Sequence, residues 1–93
     1  MKSTLKILFA DDDLKYSLVL KRFLEREGYE VTYTGNGTMA LEQFPVVKPD
    51  LVLLDINMPG LNGFEVAEKI REQDRHVLIF FPVSYTHLTL PTT

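Results

Sequence analysis

Leu51-Val52-Leu53-Leu54 is apolar at every position, and Asp55 follows it directly. A strand with one wet face alternates apolar and polar side chains, so a strand without alternation has both faces covered. These four residues therefore call for structure above and below them. The rest of the chain offers that structure in a regular order. Leu5 to Ala10 reads as another buried strand. Asp13 is placed to cap a helix whose stripe is Tyr16, Val19, Leu20, Phe23 and Leu24, and Gly28 stands where that helix needs a left-handed stop. Tyr29 to Tyr33 alternates like a strand. Gly35-Asn36-Gly37 is a turn that opens a short helix marked by Met39, Ala40, Leu41 and Phe44. After Pro49 and Asp50 comes the fully apolar strand, and then a loop from Asn57 to Gly63 containing Pro59 and Gly60. Phe64, Val66, Ala67 and Ile70 pattern a third helix, and Val77 to Phe81 a fourth strand.

Strands that alternate with helices imply right-handed crossovers and a parallel sheet with helices on both faces. The fold class expected is α/β, with seven elements in the order β-α-β-α-β-α-β. Ninety-three residues hold one domain, and a core of this size is marginal without staples. The absence of cysteine excludes disulfides, thiolate nucleophiles and zinc–thiolate sites. Thirteen acidic residues against ten basic ones give no basic face for nucleic acid. No apolar run reaches membrane-spanning length and no secretory signal is visible, so a cytoplasmic setting is expected.

The acids carry the chemistry. Asp11, Asp12 and Asp13 stand directly after the first strand, and Asp55 directly after the third. In open parallel sheets, sites form outside the carboxyl ends of the strands, where the strand order reverses. If the first and third strands are neighbours, Asp11, Asp12 and Asp55 meet in one crevice, whereas Asp13 serves as a helix cap. Carboxylates held that close raise each other's pKa, and a bound divalent cation removes the penalty. Oxygen ligands alone suit a hard ion, so Mg²⁺ is the expected metal. Asp12 and Asp55 would offer carboxylates, the loop near Asn57 a backbone carbonyl, and Asp11 a hold on bound waters.

These residues resemble the receiver domain of two-component response regulators. Phe9-Ala10-Asp11-Asp12-Asp13 is similar to that family's acidic strand end. Lys48 to Gly63, with Asp55-Ile56-Asn57-Met58-Pro59 at its centre, is similar to its phosphoacceptor segment. The resemblance spans about residues 5 to 81 and implies a flavodoxin-like, CheY-like sheet. It implies that Asp55 accepts a phosphoryl group from a sensor histidine kinase or phosphotransfer protein. It also implies that Asp11, Asp12, Asp55 and the Asn57 carbonyl hold Mg²⁺, and that Met58, Pro59 and Gly63 shape the loop. The domain would be a signalling phosphoacceptor that catalyses only its own phosphorylation and dephosphorylation. Asn62 stands where many relatives carry Asp.

The resemblance also has gaps. The family's hydroxyl residue after the fourth strand falls on Phe81, with Ser84 and Thr86 beyond it, and no lysine follows Lys69. His87 is a poor substitute for that cation. A further helix, strand and helix would need roughly 40 residues. The expectation is thus a receiver domain over 1–81, lacking its fifth strand, last two helices and output surface, and a tail over 82–93 outside the family pattern. That tail resembles a translated library-adapter sequence. Two other readings fit less of the chain. One is a receiver-like partner-binding module that is not phosphorylated. The other is a haloacid-dehalogenase-type phosphatase, whose nucleophile motif the acidic run matches only superficially, since Leu14 and Lys15 follow it.

Overall fold

The structure is a computed structural model, and it describes residues 4–82. The elements follow the expected order: β1 (Lys6–Ala10), α1 (Leu14–Arg26), β2 (Glu30–Thr34), α2 (Gly37–Val47), β3 (Leu51–Leu54), α3 (Gly63–Gln73) and β4 (Leu78–Phe80). All strand pairs are parallel, and the sheet order is β2-β1-β3-β4. The first and third strands are therefore neighbours, as the acidic crevice requires. Boundaries shift by a residue or so: β2 runs one residue later than its alternation suggested, and β4 leaves out Val77 and Phe81. Expectations about Ser84, Thr86, His87 and the tail past Pro82 lie outside the described residues.

Local chemistry sets the helix ends. The Tyr16 N–H donates to the Asp13 carboxylate, which caps α1, and Gly28 takes φ +98° just past its end. Asn36 caps α2 by accepting from the Met39 N–H. Asn62 caps α3 in a reciprocal box: its side chain accepts from the Glu65 N–H, and the Glu65 carboxylate accepts from the Asn62 N–H. The acceptor that Asn62 keeps in place of Asp thus starts the third helix.

The two sheet faces are covered unequally. On one face, Leu8, Ala10, Val52 and Leu54 pack with Ala40 and Phe44 of α2 and Val66 and Ile70 of α3. On the other, Ile7, Phe9 and Val31 pack with Tyr16, Leu20 and Leu24 of α1. The helical stripe read from the sequence was too wide. Val19 is 70% exposed and Phe23 55%, because α1 contacts chiefly β2 and turns these two side chains off the sheet. Phe64 in α3 and Met39 in α2 also face outward. The register pairs Leu51 with Leu78 and Leu53 with Phe80, placing all four on the α1 face. There Leu51 and Leu53 are half-buried, while Leu78 and Phe80 are more than half exposed. The fully apolar strand is thus sealed on one side and only partly covered on the other.

The central pair β1–β3 is held at both ends. At its start the Asp50 N–H donates to the Lys6 carbonyl at 2.8 Å, and the Lys6 N–H returns a bond to the Asp50 carboxylate at 2.9 Å. At its finish the Asp55 N–H donates to the Ala10 carbonyl at 3.0 Å.

Candidate phosphoacceptor and metal site

The parallel register of β1 and β3 brings two acidic strand ends side by side. Ala10 pairs with Leu54, so Asp11 and Asp55 are the next residues out on adjacent strands. Carboxylate oxygens of Asp11, Asp12 and Asp55 all lie within 4.8 Å of one another. Asp11 is buried, Asp55 half-buried and Asp12 exposed, so the crevice opens to solvent on the Asp12 side. Asp13 stays out of this cluster and caps α1, as its position predicted.

Burial is the main force on the two inner acids. It pushes the Asp11 carboxyl up to about 6, and the charges of Asp55, Asp12 and Asp13 add to the rise. The Asp13 N–H, which donates to Asp11 Oδ1 at 2.8 Å, pulls the other way. Asp55 is also raised, again chiefly by burial and then by the Asp12 charge. N–H donors from Asn57 and Ile56 and a side-chain hydrogen bond with Asp11 hold it back. Both inner carboxyls are thus raised for the same two reasons, burial and neighbouring negative charge. A divalent cation bound among these carboxylates would relieve that crowding. An all-oxygen donor set fits Mg²⁺ in its hardness and in its open, wet side.

The loop after β3 is shaped by packing. Met58 is buried in the α2–α3 core, so it anchors the loop from below, whereas Pro59 is exposed. Gly63 does more than bend the chain. A Cβ there would collide with the carbonyl of Asp55 and stand 3.0 Å from Ile56 Cα, while the Gly63 N–H donates to the Ile56 carbonyl at 3.1 Å. The start of α3 is thereby pressed against the backbone of Asp55 itself. Two further residues touch the site and were not read from the sequence. The Thr34 carbonyl accepts from the Asp11 N–H, and the Tyr33 hydroxyl donates to the Asp11 carbonyl. Extending the parallel register one residue beyond β1 places the end of β2 beside Asp11, and that is the signal that could have found them. Phe81, where the family's hydroxyl was expected, lies with its ring 5.0 Å from that of Phe64.

A family model described as the response regulator receiver domain matches residues 7–89. The chain belongs to this family. The match reaches past Phe81 into the segment set apart at residue 82. Among curated proteins, the chain is 32% identical to sporulation initiation phosphotransferase F of Bacillus subtilis over 91% of its own length and 68% of the relative's. It is 38% identical to the alkaline phosphatase synthesis transcriptional regulatory protein PhoP of the same organism, over 84% of this chain but only 31% of that protein. Among solved structures, the response regulator TrrA of Thermotoga maritima is 39% identical. In complex with Mg²⁺ and BeF it superposes with a TM-score of 0.79, over 92% of this chain and 76% of that one. TrrA has also been crystallised with the histidine kinase ThkA, where the match has a TM-score of 0.81. The described residues thus form a CheY-like parallel sheet of four strands with three helices, matching about three quarters of TrrA's length. The chain is a signalling domain of two-component systems.

Proposed function

We propose that Asp55 accepts a phosphoryl group from the phosphohistidine of a sensor kinase or phosphotransfer protein. The observation that carries this reading is the cluster of Asp11, Asp12 and Asp55 oxygens within 4.8 Å at the carboxyl ends of adjacent strands. An Asp55 oxygen attacks phosphorus, the P–N bond to histidine breaks with its electron pair leaving on the imidazole, and an acyl phosphate forms. Asp11, Asp12, Asp55 and the Asn57 carbonyl are the groups proposed to hold Mg²⁺. When bound, the ion neutralises charge on the transferring oxygens and the carboxylates together. The chain's own contribution is position: β3 and the Gly63 contact hold the Asp55 backbone still, and the open side admits the donor. The kinase complex of TrrA supports a kinase as the partner class. No helix among the described residues is long and apolar enough to cross a membrane.

Acetyl phosphate with Mg²⁺ tests the assignment on the intact chain by mass spectrometry. The expected result is one added phosphate on the parent and none on Asp55→Asn. Modification that persists in the variant overturns Asp55 as acceptor. A second reading, a partner-binding module without phosphorylation, is favoured by Phe81 standing against Phe64 where the family has a hydroxyl. A parent chain that takes up no phosphate while still binding Mg²⁺ would support that reading instead.

A further inference from the structure

Asp11 is the first residue beyond β1, and its N–H makes the last rung of the β1–β2 ladder, donating to the Thr34 carbonyl at 3.2 Å. Past that rung the chain turns into α1, and the ladder offers the Asp11 carbonyl no further strand partner. The Tyr33 hydroxyl donates to that carbonyl at 2.7 Å, reaching it from 22 residues away in sequence. The Tyr33 ring lies on Phe9, with centroids 5.7 Å apart and planes tilted by 52°, and Phe9 is fully buried. The phenol is therefore fixed at its ring by the core and at its oxygen by the acidic loop. The peptide unit is planar, so a carbonyl oxygen held in place fixes the whole plane. Here that plane joins Asp11 to Asp12, and its tilt sets where both Cα–Cβ bonds point.

We infer that Tyr33 is a positioning residue for the divalent-cation site: its hydroxyl sets the Asp11–Asp12 peptide and thereby the aim of two carboxylates. The inference rests on the reading of the crevice as a cation site. Thr34 provides an internal contrast. Its hydroxyl donates to the Phe9 carbonyl at 3.2 Å, inside the sheet and two residues before Asp11. That bond supports the sheet and not the aim of the acids.

The test is Mg²⁺ titration calorimetry on the full chain, supported by Mn²⁺ binding read from the electron paramagnetic resonance of the free ion. Thermal melts in chelator follow each fold without an ion. Tyr33→Phe removes one oxygen and keeps the ring on Phe9. It is expected to weaken Mg²⁺ binding about three- to tenfold, the range for losing one ordinary hydrogen bond. Thr34→Val keeps the backbone carbonyl that accepts from the Asp11 N–H and removes only the hydroxyl on Phe9, so it is expected to lower the melting temperature while leaving Mg²⁺ affinity within about twofold of the parent. Equal affinity in Tyr33→Phe and the parent overturns the inference. Equal weakening in both variants also overturns it, because that marks a general loosening of β2. Asp12→Asn checks the underlying reading separately: if it binds Mg²⁺ as the parent does, the crevice is not the cation site and the role of Tyr33 falls with it.

Discussion

Asp55 owes its position to a residue with no side chain. Gly63 brings the first turn of α3 onto the Asp55 carbonyl so closely that even a methyl group does not fit. A Cβ is fixed rigidly to its backbone and the Asp55 carbonyl is backbone itself, so neither escapes by a rotamer change, and β3 or α3 must move. Gly63→Ala is expected to cost about 1–3 kcal/mol in a urea melt, the range for overpacking a tight contact. It is also expected to reduce Asp55 phosphorylation beyond what the loss of folded chain explains. A variant that melts and reacts like the parent would show that α3 can slide away freely. The same residue was legible in the sequence only as a loop glycine. Its spacing from Asp55 gave no sign that the two backbones touch, because that contact depends on how α3 re-enters the sheet.

At the scale of elements, α3 depends on its first turn. Asn62 and Glu65 exchange hydrogen bonds there, and Val66 and Ile70 are fully buried behind them. Asn62→Ala is expected to destabilise the chain by about 1 kcal/mol, whereas Asn62→Asp should match or slightly exceed the parent, since a negative cap suits the helix dipole. Paired thermal melts check this, and an unaffected Asn62→Ala would mean the turn holds without its box. Element identity and order were legible because each apolar run is either fully apolar or periodic. Which helical residues face inward was not. Tyr16, Val19, Leu20, Phe23 and Leu24 are one stripe by spacing, but a helix seated over β2 at the side of the sheet packs only Tyr16, Leu20 and Leu24 of them against the core, each partly buried. The stripe records what the helix can bury, and the neighbours decide how much of it they reach. The acids were legible for the opposite reason. Their place is fixed by the ends of two adjacent strands, β1 and β3, and in both an aspartate directly after an apolar run marks that end in the sequence.

For the molecule as a whole, the acidic crevice couples stability to pH and, on its reading as a cation site, to metal. A carboxyl raised in the fold binds its proton more tightly there than in the unfolded chain. Between the ordinary value near 3.8 and about 6 for Asp11, the folded state holds more protons, so stability falls as pH rises through that window. Asp55, raised in the same direction, adds to the fall. In chelator the melting temperature is therefore expected to drop from pH 5 to pH 7 through this contribution. Adding Mg²⁺ should restore it at pH 7 and do little at pH 5, where protons already relieve the repulsion. A Mg²⁺ shift of equal size at both pH values would place the ion's main effect away from these carboxyls.

The two-ended fastening of β1 to β3 bears on when the site comes into being during folding. Asp50 secures the start of this strand pair to Lys6 across 44 residues of sequence, and Asp55 secures its finish to Ala10. Neither bond forms until a loop containing α1, β2 and α2 has closed, and such non-local closure is slow compared with helix formation. Before that moment Asp11 and Asp55 are strangers in solution, with no reason to bind a shared ion. Uptake of Mg²⁺ by a refolding chain should therefore trail the helical signal, making the ion a clock for the meeting of the two central strands.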